Sequence, residues 1–134
     1  ISQGVAHIAH AGDSRAYIIR DNKLSQITKD HSIVQSMIDK GQLTPDEAKN
    51  HPNKNLITRA LGVNEEIVVE YNEIGIGKGE SILICTDGLT NFLDDESIES
   101  KIAECSFDEY PQVLINAANE AGGGDNITIV VLSD

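Results

Sequence analysis

Three times in this chain a short apolar run meets a tight polar turn that carries an aspartate. Residues 5–11 lead into Gly12-Asp13-Ser14-Arg15, Ile82-Leu83-Ile84-Cys85 leads into Thr86-Asp87-Gly88, and Gly123-Gly124-Asp125-Asn126 opens into the run 127–132. Apolar runs of this length bounded by Gly, Asp and Asn are the pattern of strands joined by turns. The chain is therefore constrained to build a sheet whose strand ends present carboxylates. Turn chemistry alone explains any single Asp-Gly pair, because Asp bonds to neighbouring N–H groups and tolerates unusual backbone angles. Repetition of the device is what points beyond turn-making to a site.

Around these three points the periodicity changes with position. Strands are expected at 5–11, 16–19 and 24–27, with Asp21-Asn22-Lys23 as a hairpin turn and the three forming a β-meander. Ile33, Val34, Met37 and Ile38 then fall at helical spacing, with Asp30 or Ser32 as cap and Gly41 as stop, which predicts a helix over about 32–40. Thr44-Pro45-Asp46-Glu47 reads as a second helix start, because Thr caps, Pro suits the first helical position and Glu47 completes a capping box. Further strands are expected at 67–71 and 80–86, helices from Asp94 to about 104 and over 108–121, and a closing strand at 126–132. Strands first, helices late and no internal repeat indicate one α+β unit with largely antiparallel sheets.

Composition narrows the function. The 134 residues carry a formal net charge of −12, spread as +2 over residues 1–60 and −14 over 61–134. A second half of that sign repels phosphate backbones, so nucleic acid is excluded as a partner and cations are favoured. No run has the length of a membrane span, and no charged-then-apolar leader opens the sequence. Cys85 and Cys105 stand at no metal-ligand spacing and read as free thiols of a reducing, cytoplasmic compartment. Five aromatic residues and no Trp leave the core to Ile, Leu, Val and Ala.

Rival chemistries fail on spacing. A thiolate phosphatase needs an Arg six residues after its Cys, and six after Cys85 stands Asn91. His7, His10, His31 and His51 form no zinc-binding pair of the HxH or HExxH kind, although His31, next to Asp30, is a candidate neighbour of a cleft. Gly75, Gly77 and Gly79 lead into a strand rather than a helix and are turn punctuation, not a phosphate loop.

Taken in order, GDSRAYIIR, DHSIVQSMIDKGQLT, HPNKNLITRALG, ICTDGLTNFL and GGGDNITIVVL resemble the type 2C, metal-dependent protein serine/threonine phosphatases, in a bacterial form, over about residues 9–132. The resemblance implies an antiparallel β-sandwich flanked by helices, with residues 30–62 as a flap-like insertion that shapes substrate access. It implies that Asp87 and Asp125 are catalytic ligands of the first metal of a two-metal Mn or Mg centre, and that Asp13 with Asp87 holds an additional metal. Such oxygen-only sets suit hard divalent cations. Two metals would activate a water for in-line attack on phosphorus. Substrates are then phosphoserine and phosphothreonine proteins, with a serine/threonine kinase as the opposing partner. Family members also carry, ahead of the GDSR segment, a phosphate-contacting Arg and a bridging Asp-Gly motif. The chain is therefore expected to be the C-terminal half of the catalytic domain, incomplete as an enzyme by itself. The alternative is a non-catalytic regulatory or interaction module of the same fold. Asn126 is a candidate for orienting Asp125, Ser14 and Arg15 for holding the Asp13 turn, and Asn53 and Arg59 carry no assigned role.

Overall fold

A computed structural model describes residues 1–133. Twelve elements follow one another: β1 (Val5–His10), β2 (Arg15–Arg20), β3 (Lys23–Gln26), α1 (Ile33–Asp39), α2 (Pro45–Lys49), β4 (Glu70–Gly75), β5 (Ser81–Cys85), α3 (Asp87–Thr90), α4 (Asp95–Ala103), a 3-10 turn (Phe107–Glu109), α5 (Tyr110–Glu120) and β6 (Ile129–Ser133). They form two sheets, both antiparallel. One is the pair β1-β4, and the other has the order β3-β2-β5-β6.

The β-meander expectation is corrected here. Only β2 and β3 form a hairpin, closed by Asp21 and Asn22 with φ of 49° and 60°. Positive φ at both turn positions gives the twist that a two-residue hairpin needs. β1 instead pairs with β4, so the Gly12-Asp13-Ser14 turn carries the chain from one sheet to the other. The strand expected at 67–71 also moves, to Glu70–Gly75. Its place is set by pairing from Val5↔Gly75 to His10↔Glu70, and the apolar Val68 and Val69 are left 71% and 48% exposed. Ladder register outweighs local hydrophobicity, because the backbone groups of β1 that face β4 are paired there.

The helices begin where their caps dictate. The Ser32 side chain accepts from the Gln35 N–H at 3.2 Å, and Thr44 and Glu47 make a reciprocal capping box. The Asp94 carboxylate accepts from the Ser97 N–H at 2.9 Å. The long helix expected over 108–121 divides into a 3-10 turn and α5. Gly122 and Gly123 end it with φ of 142° and 54°, and the Gly123 N–H bonds back to the Ala118 carbonyl.

Two apolar layers result. On one face of the four-stranded sheet, Tyr17, Ile19, Leu83 and Cys85 pack with Leu89, Ile98, Ile102, Leu114 and Ala118 of the helices. On the other, Ile18 and Ile82 meet Ala6 and Ile76 on the β1-β4 side. That second layer runs out toward β6, where Ile84, Val130 and Leu132 remain 36–44% exposed. Cys85 and Cys105 are both free, and burial pushes the Cys85 thiol up to about 12. Among the described residues no helix is long and apolar enough to cross a membrane. Leu114 is fully buried at the centre of the helical layer. Leu114→Ala is expected to remove about 2–5 kcal/mol of folding stability, read as a lower urea midpoint at unchanged slope.

Candidate metal centre

All three aspartates lie at one end of the four-stranded sheet. β2 and β5 pair with Arg15 opposite Cys85, so Asp13 and Asp87 each lie two residues beyond that last pair, at the same end of the sheet. β5 and β6 pair with Cys85 opposite Ile129. Beyond them the Thr86 N–H donates to the Thr128 carbonyl at 3.1 Å, and the Thr128 N–H donates to Thr86 Oγ1 at 3.0 Å. The turn that bears Asp125 is thereby laid against the one that bears Asp87.

Gly88 is the contact point. A Cβ there would fall 2.1 Å from the Asn126 carbonyl oxygen and 2.9 Å from its carbon, so no other residue fits without parting the two turns. The Asp87-Gly88 sequence is thus a packing requirement and not only a turn preference. Phe92, just past α3, seats its ring against Gly122 and Gly124, where a Cβ would approach it to 3.1 and 3.0 Å. Phe92 and Gly88 together fix the glycine-rich segment before Asp125.

Asp13 is half-buried, and burial followed by the charge of Asp87 holds its carboxyl above the ordinary value of 3.8. The nearby guanidinium of Arg15 does little to offset this. It is committed to Asp30, with Nε and Nη2 donating at 2.7–3.1 Å, while Nη1 donates to the Tyr17 hydroxyl at 3.2 Å. Arg15 therefore braces β2 against the Asp30 segment instead of the Asp13 carboxylate. Two like charges at one sheet end, with the adjacent Arg engaged elsewhere, are a setting that a divalent cation would relieve. Asp87 Oδ2 accepts from Asn91 Nδ2 at 3.4 Å, and Asp125 Oδ1 accepts from the Asn126 N–H at 2.7 Å. It is the backbone of Asn126, rather than its side chain, that holds Asp125.

Asp13 and Asp87 line a cleft of about 880 Å³ whose other walls come from Arg15, Gln26 and Asp30 and from residues within 32–55 and 90–96. Asp125 is exposed and lies outside that lining, and the three aspartates do not gather their ligand atoms within 4.8 Å of one another. Among the described residues the group that does is His10, His31 and Glu70. Sequence spacing concealed this trio, since its members come from β1, a loop and β4. His31 Nδ1 accepts from the Gly12 N–H at 3.1 Å, which leaves the ring proton on Nε2, 3.2 Å from Glu70 Oε2. That nitrogen has no lone pair to offer a metal, and Arg59 Nη1 stands 3.0 Å from it while donating to the Val68 carbonyl. The trio is a clamp. His31, 6% exposed, ties Gly12 to β4, with His10 stacked on it at 4.5 Å. Arg59 lies beside this clamp and is held by the Val68 carbonyl, and Asn53 bonds through its N–H to His51 Nδ1, away from the carboxylates.

No family model matches the chain. It is similar to serine/threonine phosphatase Stp of Listeria welshimeri, 38% identical over 126 residues that cover 93% of this chain and 50% of the relative. Protein phosphatase PhpP of Streptococcus pneumoniae is 39% identical, with 93% and 51% covered. The crystal structure of the serine/threonine phosphatase PstP/Ppp of Mycobacterium tuberculosis superposes with a TM-score of 0.91 at 38% identity, over 98% of this chain and 55% of that one. The catalytic domain of PstP in complex with two manganese ions gives 0.86 at 37% identity, over 98% and 54%. The chain spans about half the length of the curated relatives it matches.

Two substitutions test this geometry. Gly88→Ala is expected to cost about 2–3 kcal/mol, the upper range for overpacking, because backbone stands on both sides of the contact. Chemical denaturation reads it. For Asp13 the folded carboxyl binds its proton more tightly than the unfolded one, so its contribution to stability is present in acid and lost as pH rises through the raised value. At neutral pH in chelator, Asp13→Asn should therefore melt about 1–3 °C higher than wild type. Added Mg²⁺ should raise the wild-type melting temperature more than that of the variant.

Proposed function

The chain belongs to the PPM (type 2C) family of serine/threonine phosphatases, matching the C-terminal part of their catalytic domain, and on that premise we propose that it supplies the carboxylate side of a phosphoprotein phosphatase centre. The observation that carries the reading is the convergence of the Asp13, Asp87 and Asp125 turns on one sheet end, enforced by strand register and by Gly88.

In this reading Asp87 and Asp125 are ligands of a first divalent cation, Mn or Mg, within a two-metal pair, and Asp13 with Asp87 holds a further one. When bound, such cations lower the pKa of a shared water for in-line attack on phosphorus and neutralise the phosphoryl oxygens. The chain's own residues do the rest. Pairing of β5 with β2, up to Cys85 opposite Arg15, holds Asp87 in place, the Asn91 amide orients its carboxylate, and the cleft beside it admits a phosphorylated side chain. Arg15 takes no part in phosphate binding, being paired with Asp30. The Cys85 thiol, buried and held near 12, is no nucleophile at neutral pH. Substrates are phosphoserine and phosphothreonine proteins of the cytoplasm, opposed to a serine/threonine kinase.

A second reading is a module that keeps the fold without forming the metal pair. The wide setting of the three carboxylates and the exposure of Asp125 favour it. Turnover of a phosphothreonine peptide with Mn²⁺ separates the two. The chain joined to an upstream half containing the second Asp-Gly segment is expected to hydrolyse the peptide. Excess chelator should abolish that turnover and Asp87→Asn should reduce it at least about 100-fold. Turnover unchanged by Asp87→Asn would remove the aspartates from the mechanism, and none in the joined protein would favour the module.

A further inference from the structure

Residues 31–58 are closed on themselves at their base. The Thr58 N–H donates to the His31 carbonyl at 2.7 Å, Ser32 bridges to Ile57, and the Ile33 N–H donates to the Leu56 carbonyl at 3.0 Å. The segment, which includes α1 and α2, is thereby tied together at its base. Among the described residues, hydrogen bonds join it to the carboxylate end of the sheet at two points. At the first, His31 grips Gly12 twice, its N–H donating to the Gly12 carbonyl at 2.8 Å and its Nδ1 accepting from the Gly12 N–H. At the second, Asn55 Oδ1 accepts from Asn91 Nδ2 at 3.2 Å, and the same Nδ2 donates to Asp87 Oδ2.

Asn91 is placed for this double task by the backbone. It follows α3 directly, and its N–H donates to the Asp87 carbonyl at 2.8 Å, one turn below. Its amide carries two hydrogens and so serves two acceptors from one nitrogen. One acceptor belongs to the carboxylate, the other to the segment across the cleft. We propose that Asn91 is a positioning residue that couples cation binding at Asp87 to the placement of the 31–58 segment. The proposal rests on the reading of the aspartates as cation ligands. A cation on the Asp87 carboxylate draws electron density from Oδ2 and weakens its bond to Asn91, which changes how the amide holds Asn55. By linkage, whatever fixes Asn55 changes the affinity of Asp87 for the cation by the same factor.

The coupling is tested on the chain itself by ¹H–¹⁵N NMR during a titration with Mg²⁺ alone, which is diamagnetic and leaves amide signals visible. In wild type, the amides of Asp13, Asp87 and Asn126 and those of residues 53–57 are expected to shift along one saturation curve. In Asn91→Ala the aspartate amides should still shift, with about 10-fold weaker affinity, while 53–57 no longer follow. Asn55 is exposed, so Asn55→Ala tests the same link without disturbing α3, and Asn55→Asp, which keeps the acceptor, should restore it. A merely structural Asn91 would weaken binding and leave 53–57 following the cation. That pattern in either alanine variant overturns the proposal, as do wild-type aspartate shifts unaccompanied by 53–57. No shift at the aspartate amides up to roughly 20 mM Mg²⁺, well above ordinary carboxylate-site affinities, instead overturns the cation-ligand reading and the coupling with it.

Discussion

The pairing of β5 with β2 on one side and β6 on the other is the constraint on which the rest depends. Ser81, Ile82, Leu83 and Cys85 are buried, so one face of this strand is committed to the core along its length and the other at Ile82, with only Ile84 exposed. A slip by one residue would exchange those faces, sending Leu83 and Cys85 away from the helices and Ile82 away from the β1-β4 sheet. The register is therefore held by apolar packing spread across two layers. The position of Asp87 follows from it, and so do those of Asp13 and Asp125 on its flanks.

Core packing thus determines the electrostatics. Antiparallel neighbours bring the start of β2, the end of β5 and the start of β6 to one place, and each of those points carries a carboxylate. The guanidinium beside Asp13 is spent within the fold, since Arg15 is locked in a bidentate bond to Asp30. The consequence is that Asp13 feels the charge of Asp87 across the sheet end, on strands that are well packed beneath it. Sites of this kind store a small electrostatic cost that a bound cation offsets. The half-buried position of Asp13 and the cleft beside it keep that cost from being screened away entirely by water.

Much of the fold was legible because the signals were local. Ser32, Thr44 and Asp94 cap helices as their side chains allow, Gly122-Gly123 ends α5, and the 82–85 run is a strand buried except at Ile84. Strand partners were less legible, since pairing is a long-range choice. β1 and β2 are adjacent in sequence but belong to different sheets, and β4 sits three residues later than its apolar run suggests because β1 dictates its register. The His31 clamp was invisible for the same reason. Its members lie far apart in the chain, and nothing in the spacing of His10, His31, Arg59 and Glu70 marks them as neighbours.

The sequence by itself determined that the chain alternates strands and turns, that three of those turns carry aspartates, and that its ordered motifs resemble one phosphatase family. Those are properties of residue type and order, which need no partner in space. Only the tertiary structure decided that the three turns share one end of one sheet, that Gly88 is required by the carbonyl of Asn126, that Arg15 is consumed by Asp30, and that Asn91 stands between Asp87 and Asn55. Apart from the one-turn step from Asp87 to Asn91, each of these is a contact across many residues of chain, fixed by ladder register and close packing rather than by any local preference.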